Sequence, residues 1–283
     1  MHDGPGMRTT VFLKGCPLHC AWCHNPETQA ATSELLLDPK RCIVCRGCTT
    51  VCPMEAHCFE KEHTVDRSLC TTCFACAQSC PTGALSMCGK ELSIEEILKT
   101  VQKDEAFYGA RGGVTLSGGE PFLQGVHTVA LLEACKKHGL TTAVETSGYT
   151  DPEVLRAAIS FVDLFLWDIK DTDEARHLRY TGVSNRRILD NLHLADQLGA
   201  RIRLRCILVG GVNTDAEHYR AVATLASTLS CLEGVELIPY HAYAGSKATL
   251  LGRDDNGNPD WIPSPIQLDE ARRVLESSGV TII

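Results

Sequence analysis

The chain carries the same run of cysteines twice. Cys42, Cys45, Cys48 and Cys52 are separated by two, two and three residues and are followed by Pro53. Cys70, Cys73, Cys76 and Cys80 repeat that spacing and are followed by Pro81. The surrounding segment, 38–88, has few large apolar residues, so ligated metal must hold it together.

The spacing is that of the bacterial ferredoxin run. There the first three cysteines of each run hold one 4Fe-4S cluster, and the fourth ligates the other. Crossed ligation puts Cys42, Cys45, Cys48 and Cys80 on one cluster and Cys70, Cys73, Cys76 and Cys52 on the other. A pair of four-cysteine zinc sites is the competing reading. The segment reads as a ferredoxin-like insert at 38–88, dividing a main domain of 1–37 and 89–283.

A third group precedes the insert. Cys16, Cys20 and Cys23 are spaced x3 and x2, and no fourth cysteine is close by. Structural zinc closes its site with four ligands. Three suit a cubane cluster with one iron left open, or else half of a zinc site or a cysteine-rich turn. The three groups take eleven of 16 cysteines. Cys58, Cys88, Cys135, Cys206 and Cys231 remain, and the last three lie in apolar segments, as buried small hydrophobes do.

Composition bounds the class. A net charge of -8 argues against nucleic acid as the main partner. No apolar run approaches the roughly 20 residues of a membrane span, and no signal peptide stands at the start. The expectation is a cytoplasmic protein, where unpaired cysteines read as metal ligands.

After the insert, strands alternate with helices. Ser93 and Glu96 form a capping box before Ile94, Ile97, Leu98 and Val101 at helical spacing. Strands are expected at 8–14, 113–117, 142–145, 164–170, 201–209 and 235–241. Helices are expected at 127–138, 151–160, 185–198, 215–229 and 266–278, with a helical stretch ending near Tyr180. The polar stretch 252–265 reads as a loop. Such alternation implies a parallel sheet. Six units are too few for eight strands, so the fold class is α/β, a partial (β/α)6 TIM-like barrel, open on one side, with the insert.

In parallel barrels the site lies at the C-terminal strand ends. Those ends carry the Cys16 loop, Ser117-Gly118-Gly119-Glu120, Glu145-Thr146-Ser147-Gly148, Asp168-Ile169-Lys170, Arg205 with Gly210-Gly211, and Tyr240-His241. Each has a plainer reading: a turn at the glycines, solvated ion pairs for Glu145, Asp168 and Lys170, a structural Arg205, a satisfied His241. Charged or flexible groups at all six ends are nonetheless hard to explain as packing.

Cys16-x3-Cys20-x2-Cys23, with aromatic Trp22 before the last cysteine, resembles the signature of radical S-adenosylmethionine enzymes. The flanks, Asp3-Gly4-Pro5-Gly6-Met7-Arg8 and His24-Asn25-Pro26-Glu27-Thr28, resemble the glycyl-radical-enzyme activating enzymes. That resemblance implies three 4Fe-4S clusters and reductive cleavage of S-adenosylmethionine (SAM) to methionine and a 5'-deoxyadenosyl radical. The radical would take a hydrogen from a backbone glycine of a partner glycyl radical enzyme, with no acid–base residue required. It implies SAM contacts at Trp22, Cys23, His24, Gly118, Gly119, Glu120, Ser147, Asp168, Ile169, Lys170, Arg205 and His241, with Glu120 taking the ammonium group. Glu145 and Asp168 become candidates for a monovalent cation site. Asp3 becomes a contact for the partner's glycine loop, against its plainer reading as a turn residue.

A reduced flavodoxin or ferredoxin is the implied electron donor, and the chemistry is anaerobic. Family members carry a short strand before the Asp-Gly-Pro-Gly motif, so its absence here implies a truncated start or an altered sheet edge. Activators of pyruvate formate-lyase lack the insert, which points to activators of decarboxylases, dehydratases and carbon–nitrogen or carbon–sulfur lyases. Two other functions fit parts of the chain. An electron-transfer protein would use the insert but leave the strand ends unexplained. A radical enzyme acting on a small molecule would share the cofactor but need no protein partner.

Overall fold

The apolar runs after the insert fold into a single sheet. The computed structural model describes residues 3–254 and 257–283. Its strands in chain order are β1 (Arg8–Leu13), β2 (Glu34–Leu37), β3 (His57–Cys58), β4 (Thr64–Val65), β5 (Leu85–Cys88), β6 (Gly113–Gly118), β7 (Thr141–Thr146), β8 (Leu164–Ile169), β9 (Ile202–Leu208) and β10 (Leu232–Pro239). Six of them form one parallel sheet in the order β1-β6-β7-β8-β9-β10. All six residues of β8 are buried, as expected of a parallel strand covered on both faces. The sheet is open, with β1 and β10 as its edges. Ile282, in the apolar C-terminal end, adds a parallel bridge to Val235.

The helices are α1 (Gly47–Val51), α2 (Ala75–Ser79), α3 (Ile94–Val101), α4 (Glu105–Tyr108), α5 (Gly125–Lys137), α6 (Pro152–Ala158), α7 (Glu174–Thr181), α8 (Arg186–Gln197), α9 (Ala216–Ser227), α10 (Gly245–Leu250) and α11 (Pro265–Ser277). Ser93 and Glu96 make the expected capping box on α3, and Ser264 and Gln267 make another on α11. Leu132, Leu155, Leu192 and Leu275 from these helices pack on Leu116, Val144, Phe165 and Leu204 of the sheet. Each such buried side chain contributes about 1.5–3 kcal/mol. Among the described residues no helix is long and apolar enough to cross a membrane.

Between β1 and β6 the chain makes its excursion. β2 and β5 pair antiparallel, Glu34 opposite Cys88 and Leu37 opposite Leu85. The ladder therefore crosses the division drawn at residue 38. Within it lie α1, α2 and the short β3–β4 pair, over a small core of Leu35, Leu37, Cys76 and Leu85. These elements were not legible beforehand, because none is long enough to show a period. Nor was α10. The 252–265 loop contains one 3-10 turn, Pro259–Trp261, and its residues 255 and 256 lie outside the described set. Cys135 and Cys206 are buried as expected, whereas Cys231 is only half-buried, just ahead of edge strand β10.

Candidate functional site

At the C-terminal ends of the six strands is a cavity of about 560 Å³, within the range of small-molecule sites. Cys16, Cys20 and Cys23 line one side of it. Their loop is tied down by backbone bonds. Gly15 N donates to Thr28 O at 2.7 Å and Cys16 N to Gln29 O at 3.0 Å. His19 N and Ala21 N donate to Thr181 O and Tyr180 O, so the end of α7 holds the loop from the other side. Trp22 is buried against Tyr180 and Trp261, with ring centroids at 5.6 and 6.2 Å.

Burial pushes the Cys16 and Cys20 thiols up to about 12, and the thiol of Cys23 also rises. Glu120 and the other two thiols raise Cys16 further, whereas Lys170 works against the rise at Cys20. Three enclosed thiols that resist ionising singly are what a metal centre relieves by replacing their protons. The donor set therefore fits a cluster.

The glycine motif answers to backbone as much as to any ligand. Gly118 has φ +114°, and a Cβ there would lie 2.4 Å from Leu13 O. A Cβ on Gly119 would lie 2.2 Å from Gly15 O. Gly119 N and Glu120 N donate to these same oxygens, at 2.9 and 2.8 Å. The two glycines thus let the loop after β6 cross directly over the cysteine loop.

Glu120 is not at the cavity. It has no exposed surface, and both carboxylate oxygens are doubly engaged. Oε1 accepts from Phe122 N and Thr146 Oγ1, and Oε2 from Ser147 N and Oγ. The sequence reading put this carboxylate on an ammonium group. The structure puts it behind the wall, where it braces Ser147, which does line the cavity. Ile169 is displaced for a simpler reason. Successive residues of a strand face opposite ways, so Asp168 and Lys170 line the cavity while Ile169 joins the core.

The charged residues form one network. Asp168 and Arg205 are register partners on β8 and β9. Arg205 Nη1 lies 2.5 Å from Glu145 Oε1 and 3.6 Å from Asp168 Oδ1. Its Nε is 3.5 Å from Glu236. Lys170 Nζ donates to Asp168 Oδ2 at 2.7 Å, and Ser117 Oγ to Glu145 Oε2 at 2.8 Å. Burial works against the charge of Lys170, but Asp168 and Cys20 hold its ammonium above the usual lysine range. Arg205 is likewise buried yet kept charged by Asp168 and Glu145. The pair proposed for a cation thus already faces two cationic side chains. Asp168 Oδ1 is buried and has no hydrogen-bond partner. Its cationic neighbour is Arg205, at 3.6 Å.

His24 and His241 meet edge-on at the rim, with ring centroids 4.3 Å apart. Asp3 also lines the cavity. Thr115 Oγ1 donates to its carbonyl at 2.6 Å, and Thr10 Oγ1 to its carboxylate at 3.3 Å. Arg8 pins the turn that follows, with bonds to Pro5 O, Arg111 O, Val114 O, Thr115 and Thr141. Besides apolar Phe12, Leu18, Ile207 and Ile238, the polar cavity residues Gln29 and Lys247 escaped the sequence reading. Gln29 lies beside Cys23. Lys247 of α10 reaches Asn25 Oδ1 and Glu27 Oε1, both at 2.7 Å. A single lysine on a short helix carries no pattern that could have found it.

In the insert, one hollow is lined by Cys42, Cys45, Cys48 and Cys80, and another by Cys52, Cys70, Cys73 and Cys76. The residues flanking the second cysteine of each run, Val44 and Arg46, then Thr72 and Phe74, all have φ between 54° and 60°. Such a conformation costs a β-branched residue about 1–3 kcal/mol and persists only where the surroundings impose it. A loop wrapped around a shared centre would impose it on both runs alike.

The radical SAM superfamily model matches residues 10–223. The trans-4-hydroxy-L-proline dehydratase activating enzyme of Clostridioides difficile is 41% identical, over 99% of this chain and 94% of that protein. The choline trimethylamine-lyase activating enzyme of Oleidesulfovibrio alaskensis is 40% identical, over 96% and 91%. The benzylsuccinate synthase activating enzyme of Thauera aromatica is 40% identical, over 90% and 79%. Among solved structures, a domain of pyruvate-formate lyase-activating enzyme from Bacteroides vulgatus superposes with a TM-score of 0.52 at 26% identity, covering 61% of this chain and 98% of that one.

Proposed function

Because the chain belongs to the radical SAM superfamily, and within it to the activating enzymes of glycyl radical enzymes, we propose that its cavity performs that family's reaction with the residues described above. When bound, the cluster supplies one electron to SAM, giving methionine and the 5'-deoxyadenosyl radical that takes a hydrogen from a glycine of the partner. The chain's own residues bind, orient and enclose. Cys16, Cys20 and Cys23 are the cluster ligands. Gly118, Gly119 and Ser147 offer backbone and hydroxyl to the methionine end of SAM. Trp22, His24 and His241 border its other end.

The observation that carries the reading is that the cavity shared by the three thiols also takes in the charged strand-end side chains Glu145, Asp168, Lys170 and Arg205. Three carboxylates, Glu145, Asp168 and Glu236, face two cations, Arg205 and Lys170. Glu145 and Asp168 are the carboxylates offered to a monovalent cation or to the ammonium of SAM. Asp3, pinned at the cavity by Thr115, is the contact for the partner's glycine loop.

The insert, taken as 38–88, carries two further 4Fe-4S clusters with crossed ligation. The two cysteine-lined hollows and their matching left-handed residues support this. The clusters form a path from a reduced flavodoxin or ferredoxin. Exposed Ile43 and Val44, next to Cys42 and Cys45, offer such a donor an apolar contact. The partner is a dehydratase or a carbon–nitrogen or carbon–sulfur lyase of the glycyl radical class, in an anaerobic cytoplasm.

The test is anaerobic reconstitution with iron and sulfide, reduction with dithionite, addition of SAM and assay of 5'-deoxyadenosine, with Cys20→Ala as control. Product from the unaltered chain alone, and a glycyl radical signal on adding a partner, are the expected results. No product at full iron occupancy would overturn the reading.

A further inference from the structure

The two hollows of the insert are joined by a pair of buried histidines. His57 lines the hollow of Cys52, Cys70, Cys73 and Cys76, and His63 lines that of Cys42, Cys45, Cys48 and Cys80. Both are less than a tenth exposed, in a segment that otherwise buries few side chains. His57 Nδ1 lies 3.0 Å from His63 Nε2. On the far side of the ring, His63 Nδ1 lies 3.3 Å from Cys42 Sγ. Cys48 Sγ is 3.7 Å from Nε2. Phe59 stacks on the face of His63, with centroids 4.3 Å apart and planes 10° from parallel, and Arg46 lies over Phe59.

Of the ring's three neighbours, His57 Nδ1, Cys42 Sγ and the more distant Cys48 Sγ, the neutral tautomer protonated at Nδ1 satisfies the nearest two. His57 Nδ1–H donates to His63 Nε2, and His63 Nδ1–H donates to Cys42 Sγ. A ligated thiolate is a strong acceptor. Hydrogen bonds to ligand sulfur withdraw charge and make an added electron easier to hold. In the other hollow a backbone group, Ala56 N, donates to Cys52 Sγ at 3.5 Å. Among the described residues no histidine nitrogen bonds the sulfur of Cys52, Cys70, Cys73 or Cys76.

We propose that His63, oriented by His57, raises the reduction potential of the cluster held by Cys42, Cys45, Cys48 and Cys80 above that of its neighbour. That makes it the first of the pair to take an electron from the external reductant. His63 is a positioning residue for electron entry, not a ligand. The proposal rests on the reading of the insert as a two-cluster segment.

The experiment is a redox titration of the whole reconstituted enzyme followed by electron paramagnetic resonance, with SAM added to mark the site cluster. His63→Phe keeps the stack on Phe59 and removes the donor. At a fixed potential the ratio of reduced to oxidised should fall about tenfold in one insert cluster, equivalent to about 59 mV for a one-electron couple. The other insert cluster and the site cluster should not move. His63→Gln, which keeps an N–H, should recover part of the shift, and His57→Phe should give a smaller shift in the same direction.

Superimposable curves for His63→Phe and the unaltered chain would overturn the proposal, as would equal shifts in both insert clusters. Should His63→Phe fail to load iron, His57→Phe decides, and no shift there overturns it. Iron content separates the two layers. About twelve irons per unaltered chain with no shift sinks only this proposal, whereas about four sinks the two-cluster reading beneath it. Cys48, His57 and His63 also present ligand atoms within 4.8 Å of one another. One tightly held zinc, lost in His63→Phe, would overturn the proposal in favour of a mononuclear site.

Discussion

Asp168 divides its carboxylate between Lys170 and Arg205, whose Nη1 lies 3.6 Å from Oδ1. Oδ2 accepts from Lys170 Nζ at 2.7 Å, while Oδ1 is buried without a hydrogen-bond partner. Asp168→Asn keeps the shape and removes the charge. The lost charge-assisted bond is worth about 1.5–3 kcal/mol, so SAM affinity should fall roughly ten- to a hundredfold. Equilibrium binding to the reconstituted enzyme measures this. Unchanged affinity would mean that Asp168 serves its ion pairs with Lys170 and Arg205 rather than the ligand.

Glu120 should behave as a brace. Glu120→Gln replaces one acceptor by a donor facing Ser147 N, leaving a buried clash of donors. We expect a loss of about 2 kcal/mol, seen as a Tm lower by about 4–8 °C for a chain of this size. A variant with unaltered Tm but weakened SAM binding would restore the ligand role expected from sequence.

Gly119→Ala tests the crossing of the two loops. Its Cβ would press on Gly15 O and shift the cysteine loop. Displacement of a reacting group by about 1 Å can cost about a hundredfold in rate. Iron content should fall together with 5'-deoxyadenosine formation. Full iron with normal turnover would show that the loops yield freely.

Arg8 offers a way to separate the two halves of the reaction. Its guanidinium makes one bond to the turn after Asp3, at Pro5 O, and five to Arg111, β6 and β7, and lysine cannot reproduce the planar fork. Arg8→Lys should leave 5'-deoxyadenosine formation within about twofold while glycyl radical yield on the partner drops. Equal losses in both assays would place Arg8 in general stability.

Asp163 governs a pH-dependent part of stability at the opposite end of the sheet. Burial would raise its pKa, but Lys136, at 2.7 Å, and Thr142 N, at 2.8 Å, hold it below the usual aspartate range. A depressed carboxylate stabilises fully above its unfolded pKa, about 3.9, and loses that stability as pH falls through the folded value. Asp163→Asn should lower stability by about 1 kcal/mol at pH 7, a figure kept small because the pair is partly exposed. Denaturant midpoints of the two chains should converge below about pH 4. A gap independent of pH would mean the charge itself contributes nothing.

Residues whose neighbours share their pattern were legible. The six parallel strands followed from alternation, and the capping box at Ser93 fixed the start of α3 to the residue. The strand ends predicted where Asp168, Lys170, Arg205 and His241 would gather. The burial of Glu120 was not legible, because a motif shows spacing but not which way a side chain turns. Asp168 and Lys170 could have shown that Ile169 faces the other way, since two residues apart on a strand means one face. His63 and Lys247 were invisible for another reason. Each acts through partners distant in sequence or on elements too short to have a period.

The ladder of β2 and β5 also governs how the molecule would come apart. The excursion leaves and re-enters the barrel through two adjacent strands, and its own apolar core is only Leu35, Leu37, Cys76 and Leu85. The barrel has a large core that does not draw on any of these residues. Opening of the excursion is therefore a sub-global event well below the free energy of unfolding the whole chain. If its two hollows hold the proposed clusters, oxidants that strip their iron would expose this segment to proteases first, leaving a nicked molecule whose six-stranded sheet still stands.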